Sequence, residues 1–523
     1  MKLKELYKLQ VLALLCLVPF VAAQQVQRNP IVRQDLAHVT TTVPLRDMPS
    51  APWHNLSKLM PEHDRSPIRH IGTGPDTVSQ TEILPPVGTT NILSFDGITG
   101  SQGGGFVPPD TNASVGTTQV VETVNIAYAV YDKATGSQIM APKSIQTLYT
   151  PLGGQCATGN LSDPVVNFDK AAQRWVITMI AFNNTFSVNN SCVAVSTSSD
   201  ATGTYHVYAF AYGNVLPDYP KVGVWPDAYY LTSNNFPNGG SFSGAETCAL
   251  NRANMLLGNA ATSICFKRGT SDFSLLPADL DGATPPPSGS PNYHLELATS
   301  TRLNLFKFHV DFVTPTNSTF TGPTALTVAS YTDACASTGN CIPQPSPGTT
   351  VDSLGDRLMF RLAYRHFTDH EALVATHSIR GAGRVTSAVR WYEIRSPGSA
   401  PVIFQSGTVN GASSTALWMG SIGTDKVGDI ALGYSKSSRT VKPTVEYTGR
   451  VPSDTLGTME SPSVIVTGTG VQTSAGGGRW GDYSSMAIDP SDDCTFWYTQ
   501  EYYRTNGANW STRLASFKFT ACQ

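Results

Sequence analysis

From Asn91 onward the chain alternates short apolar, aromatic-rich runs with clusters of Gly, Pro, Asp and Ser. The clearest instance lies near its end. Gly478-Arg479-Trp480-Gly481-Asp482-Tyr483-Ser484-Ser485-Met486-Ala487-Ile488 and Cys494-Thr495-Phe496-Trp497-Tyr498-Thr499-Gln500-Glu501-Tyr502 flank Asp489-Pro490-Ser491-Asp492. Trp, Tyr, Phe and Ile suit a pleated surface, and Asp and Pro suit a tight turn, so the pattern predicts a β-hairpin.

The same pattern recurs upstream. Units open near Pro108-Pro109-Asp110, Asp163-Pro164-Val165, Tyr219-Pro220-Lys221, Asp356-Arg357-Leu358, Trp418 and Arg479, and the fourth, with the faintest pattern, is centred on Tyr293-His294-Leu295. Seven units over residues 91–523 allow about sixty residues each, enough for four short strands and their loops. An open array of that size would expose strand edges, whereas a ring hides them. The expected fold is therefore all-β, a seven-bladed β-propeller, its ring closed by a strand near Asn91 pairing with the last blade. A pair of β-sandwich domains is the competing fold.

Composition narrows the class. Of 523 residues 14% are charged, against 45 Gly and 35 Pro, which suits short strands better than helices. A formal charge of -3 with no basic cluster excludes a nucleic-acid footprint. Lys2, Lys4 and Lys8, the apolar run Val11–Val21 and Val21-Ala22-Ala23 read as a signal peptide over residues 1–23, too short to span a membrane. Residues 24–90, rich in Pro, Thr and Gln, predict a leader wrapped on the domain or a flexible tether. Export to the exterior or periplasm as a monomer, without membrane insertion after cleavage, is expected. Eight cysteines remain in the exported chain, and repeat units mostly contact themselves and their neighbours. That predicts nearest-neighbour disulfides, Cys156–Cys192, Cys248–Cys265, Cys335–Cys341 and Cys494–Cys522.

Four long motifs carry a resemblance: Val107-Pro108-Pro109-Asp110-Thr111-Asn112, Tyr219 to Asp227, Gly355 to Arg365, and Arg479 to Met486. They resemble a group of secreted bacterial proteins with seven propeller-type repeats, over most of residues 91–523. The resemblance implies fold and export and carries over no catalytic residues. Ser198-Ser199-Asp200-Ala201-Thr202-Gly203-Thr204-Tyr205 is more loosely similar to the Asp-box hairpin of sialidase-type propellers, with one extra residue before Gly203 and Tyr in place of Trp.

Familiar catalytic signatures are missing: the sequence has no Gly-x-Ser-x-Gly elbow, His-Glu-x-x-His or phosphate loop. His370, Glu371 and His377 have the wrong spacing for a metal site on a strand, and Asp279-Leu280-Asp281-Gly282 reads as a turn. No cofactor is expected; a structural Ca²⁺ is left open. If each motif starts the innermost strand of its blade, Asp110, Asp163, Lys221, Asp356, Arg357, Arg479 and Asp482 converge on the axis. Asp110, Asp163 and Asp482 are the candidate acid/base carboxylates of a glycoside hydrolase or polysaccharide lyase, and Lys221, Asp356, Arg357 and Arg479 the candidate ligand contacts. The same charges also suit pairing with one another to knit adjacent blades. Arg357, Arg361 and Arg365 are placed on one strand face, where they would grip an acidic sugar or meet acids of a neighbouring blade. Trp225, Tyr229, Tyr230, Tyr502 and Tyr503 would pack between blades or rim a sugar site. The expected function is binding or processing of an extracellular polysaccharide or glycan at the central funnel. The alternative is a non-catalytic secreted interaction module. A deep polar funnel would favour the first, a plugged or fully ion-paired channel the second.

Overall fold

A computed structural model of the protein describes residues 25–53, 68–82, 84–382, 387–412 and 414–523. The export segment expected over residues 1–23 lies outside them. The fold is all-β, with 48% of residues in strands and 5% in helix.

The strands form one nine-stranded sheet, two of five strands, three of four and one of two. Within the larger ones the chain makes seven successive antiparallel runs of four strands, numbered here in order as the first to seventh sheets. They begin at the strands Asn112–Val115, Asn160–Asp169, Val215–Val224, Leu276–Asp281, Leu362–His366, Ala416–Thr424 and Ser485–Ile488. Each first strand neighbours the next in chain order, and that of the seventh sheet neighbours that of the first. Leu276–Asp281 and Leu362–His366 go further and pair in parallel, Ala278 opposite Leu362, so the fourth and fifth sheets are hydrogen-bonded together. The fourth strand of the seventh sheet is Thr89–Thr99, which pairs antiparallel with Ser511–Phe519 and joins the two ends of the chain. It also reaches the first sheet, because Ile98 N donates to Glu122 Oε2 at 2.9 Å.

The leader runs around the outside. Val26–Gln27, Ile31–Gln34 and Ala37–Val39 each add a strand to the outer edge of the fourth, third and second sheets in turn. Lys143 of the first sheet then donates to the carbonyls of Leu45, Arg46 and Met48. Farther along, Ser79 bridges to Thr408 of the fifth sheet and Pro86 to Ser461, beside the sixth. Unpaired edge strands invite association, and this strap covers several of them.

The core lies between sheets. Trp175, Trp225, Trp391, Trp418, Trp480 and Trp510 are all fully buried. Tyr447 of the sixth sheet stacks on Phe517 of the seventh at 3.7 Å. Each buried side chain of this size contributes about 1.5–3 kcal/mol, so adjacent sheets are held chiefly by apolar contact. The four disulfides join the expected pairs, and Cys248 and Cys265 face one another on adjacent strands of the third sheet.

Two readings need correction. Asp279 to Gly282 is not a turn: Leu276–Asp281 is the first strand of the fourth sheet, and its Leu-Pro-Ala start hid it. Asp356 to Arg361 does not start a strand but leads into Leu362–His366, so Arg357, Arg361 and Arg365 do not share one strand face.

Candidate functional site

The seven charged residues expected to converge do meet, where the first strands begin. Asp482 N donates to Asp110 Oδ1 at 2.8 Å, and Asn125 Nδ2 donates to the other oxygen of Asp110. Asn125 Oδ1 accepts from Asp163 N at 2.9 Å, and Tyr483 OH donates to Asp163 Oδ2 at 2.7 Å. Lys221 Nζ lies between two rings, 3.2 Å from the centre of Tyr219 and 3.7 Å from that of Tyr483. Arg357 stacks over the other side of this group, 4.5 Å from Tyr219, and pairs with Asp356 at 2.7 Å. Arg479 bridges Asp482 at 3.0 Å and Asp352 at 3.2 Å. Five sheets contribute to this knot.

Backbone geometry sets it up. Asp110, Asp163 and Tyr219 all have left-handed backbone, with φ of 49°, 56° and 53°, a conformation that costs most residues energy and is held by its surroundings. Register shifts opposite Asp163, at Tyr219-Pro220 and again at Met419-Gly420 turn the strand at the same point of three sheets. Tyr219, not Lys221, is therefore the counterpart of Asp110 and Asp163.

Burial decides what the knot does. Asp110 is 2% exposed, Lys221 and Arg357 1% each. Burial, with Asp482 and Asp163 close by, pushes the Asp110 carboxyl well above the ordinary range. Burial also draws Lys221 down to about 7, against the pull of Asp163 and Asp482 and with the repulsion of Arg357. A neutral acid beside a near-neutral amine is a proton-transfer pair in principle. Both groups are enclosed, Lys221 between the rings of Tyr219 and Tyr483.

Farther along the same strands lies a second ionic layer. Arg361 pairs with Asp279 at 2.8 Å and Asp281 at 2.6 Å, and donates to Met486 O. Lys170 also pairs with Asp281. Burial alone would raise Asp281, but Arg361, Lys170 and Arg365 hold it at about 2. At the far end Arg365 makes a two-pronged pair with Asp493, both contacts 2.7 Å. Arg361 and Arg365 are thus matched by acids of other sheets.

Two concavities open on this far face, on either side of Asp493. One, of about 400 Å³, is bounded by Lys170, Trp225, Arg252, Pro285 and Pro490. The other, of about 490 Å³, lies between the fifth and sixth sheets and is bounded by Phe404, Arg395, Lys426 and Arg450 among others. Arg395 sits 3.4 Å over the ring of Phe404, which is 37% exposed. Sequence reasoning missed this wall because its residues come from second-to-fourth strands and hairpin turns. It missed as well the buried pair Asp425 and Asp429 in the adjoining turn. Burial and the neighbouring Asp429 raise Asp425 to about 8; burial, Glu460 and Asp454 raise Asp429 to about 6 against a hydrogen bond from Asp425. The signal was present as two acids four residues apart around Gly428.

Other candidates resolve as packing. Trp225, Tyr229, Tyr230, Tyr502 and Tyr503 are all buried. His377 stacks on Tyr392 and His370 pairs with Asp369, so the two point to different partners. Asp200 sits in the turn between Asn189–Ser196 and Tyr205–Gly213, its carboxylate accepting from Thr202 N, Arg46 and Gln119. Two groups with metal-like spacing, Glu246 with Cys248 and Cys265 and Asp425 with Cys494 and Cys522, include sulfurs already committed to disulfides. No helix among the described residues is long and apolar enough to cross a membrane.

No protein-family model matches the chain, and no curated protein matches its sequence. Among solved structures it is similar to the α-L-arabinanase of Penicillium chrysogenum complexed with arabinobiose, at 9% identity over 83% of this chain and 99% of that one, with a TM-score of 0.38. It is similar to a subtype N10 neuraminidase-like protein of A/little yellow-shouldered bat, at 10% identity over 70% and 98%, with a TM-score of 0.35. It is also similar to the WD40 domain of SCAP from fission yeast, at 8% identity over 77% and 82%, with a TM-score of 0.34. Likeness this distant transfers no ligand and no activity.

Proposed function

We propose that the chain is an exported, closed seven-bladed β-propeller, residues 91–523 forming the ring and residues 24–90 its strap, that binds extracellular carbohydrate. The binding surface is the face where the first hairpins turn, not the enclosed knot of Asp110, Asp163, Lys221, Arg357 and Asp482. The observation carrying this reading is the pair of concavities, about 490 and about 400 Å³, that flank Asp493 on that face. Side by side they suit an elongated polar ligand better than a compact one. Four disulfides suit an oxidising compartment.

The test is a screen of the purified protein against plant and microbial polysaccharides, reading binding and newly formed chain ends together. Saturable binding to at least one, weakened by Phe404→Ala, is expected. Binding to none would end the proposal. A second reading, a secreted interaction module without a sugar ligand, is favoured by the buried and cross-paired charges of the knot. It predicts no response to any glycan.

A further inference from the structure

Six arginines in the described residues are buried at 7% exposure or less: Arg357, Arg361, Arg365, Arg390, Arg450 and Arg479. Five face a carboxylate in an ion pair: Asp356, Asp279 with Asp281, Asp493, Asp76, and Asp352 with Asp482 respectively. Arg450, at the end of the strand Thr444–Arg450, is different. It is 2% exposed, yet its guanidinium donates only to a backbone carbonyl, Asp454 O, at 2.8 Å, and its Nε has no acceptor. Burial disfavours its charge, and Asp454, Glu393 and Asp429 offset that from a distance without an ion pair. This arginine forms part of the wall of the cavity of about 490 Å³.

The rest of that wall points the same way. It holds four cations, Arg365, Arg395, Lys426 and Arg450, against three carboxylates, Asp369, Glu393 and Asp493. Asp493 is taken by Arg365, and Glu393 by Arg395 at 2.6 Å. Asp369 is turned to solvent and paired with His370. Lys426, exposed on the rim, donates to the backbone of Asp492 at 3.2 Å. Arg450, which Asp454, Glu393 and Asp429 attract without an ion pair, and Lys426 are thus the two cations of the cavity wall that form no ion pair among the described residues, and Phe404 offers an exposed ring beside them.

Resting on the reading of this face as a glycan site, we infer that the cavity between the fifth and sixth sheets takes an acidic sugar, whose carboxylate or sulfate is received by Arg450 and Lys426. Planar donors of arginine match either group, and the Phe404 ring covers the apolar side of the sugar.

The experiment titrates the full chain with three oligomers of equal length: oligogalacturonate, a sulfated galactan and a neutral galactan. An acidic oligomer should bind at least about tenfold more tightly than the neutral one and lose affinity as salt is added. Arg450→Gln should reduce that preference to roughly twofold or less, and Lys426→Gln should reduce it in part. Whichever acidic oligomer binds better identifies the group as carboxylate or sulfate. Should Arg450→Gln fail to fold, Lys426→Gln and the salt dependence of the unaltered protein decide. Equal binding of neutral and acidic oligomers, or a preference untouched by both substitutions, overturns the inference while leaving the glycan site standing. Binding of no oligomer overturns both.

Discussion

Where the first strands begin, Arg479 lies between Asp482 and Asp352, and Lys221 between two tyrosine rings. Where they finish, Arg450 lies in a cavity wall with a backbone carbonyl for company, and Asp425 and Asp429 are buried beside one another. Both ends are rich in charge and both are largely withdrawn from water. They differ in completeness. At the first end the cations meet carboxylates or aromatic rings in direct contact, although Asp110 also sits among like charges, Asp482 and Asp163. At the second end Asp425 and Asp429 are crowded likewise, but Arg450 borders a concavity and forms no ion pair. Binding sites are commonly built where local stability is given up in this way. The contrast is the reason for proposing the second end as the binding face.

Removing the strand Thr89–Thr99 should disturb both ends at once and have the largest effect. A chain starting at residue 101 lacks Thr89–Thr99, leaving Ser511–Phe519 as an open edge and removing the Ile98 contact with Glu122. Loss of a single cooperative thermal transition is expected, while a chain starting at residue 88 should keep one. Equal melting curves for the two would mean that the strand does not hold the ring together.

Next comes a direct comparison of two arginines. Arg479→Ala strands Asp352 and Asp482 in a buried setting, which typically costs about 3–5 kcal/mol. Arg450→Gln removes a charge that forms no ion pair and is attracted only at longer range by Asp454, Glu393 and Asp429, so denaturant unfolding should change by less than it does for Arg479→Ala. A large loss for Arg450→Gln would show that its charge is paired within the fold after all, and would remove the distinction between the two ends.

How far the sequence could have told the ends apart depends on what each is made of. The knot was legible because its members sit at the starts of motifs that recur: Asp110 and Asp163 occupy matching places, and equivalent places in a ring meet at the axis. The offset of Lys221 was not legible, since the left-handed residue of its unit is Tyr219, and nothing in the composition of Tyr-Pro-Lys announces a bulge. Nor was burial legible, because the depth of a side chain depends on how closely seven first strands approach. The cavity wall was invisible for another reason. Phe404, Lys426 and Arg450 lie on a fourth strand, a turn and a third strand of two sheets, positions that do not recur from unit to unit.

The acid pair gives a test by pH. Asp425 is raised to about 8 and Asp429 to about 6, and Glu122 to about 7 by burial. Carboxyls in the unfolded chain titrate near about 4. The folded state therefore holds protons that the unfolded state has released, and stability falls as pH rises. The contribution is complete below about pH 4 and is lost as pH passes through about 6 to 8. A melting temperature that declines from pH 5 to pH 8 is expected, with a shallower decline for Asp429→Asn, which removes the like charge from Asp425. A melting temperature that climbs over this range would contradict the crowding at this end.

The smallest effect should come from Phe404→Ala. The ring is 37% exposed and touches Arg395 at 3.4 Å, a cation–π contact at a wet surface worth about 0.5–1 kcal/mol. Arg395 keeps its pair with Glu393 when the ring is gone, so no charge is stranded. The melting temperature should hence move by no more than a degree or two, a shift of the size such a loss produces in a chain this long. Affinity for a sugar oligomer should nevertheless fall several-fold, because the apolar face of a sugar ring loses its platform. Stability and binding would then separate at one residue. That separation is what the second end allows and the knot does not, since there any truncation disturbs a partner on another sheet. If Phe404→Ala left oligomer binding unchanged, the ligand would have to lie elsewhere on the face, toward the cavity beside Lys170 and Arg252.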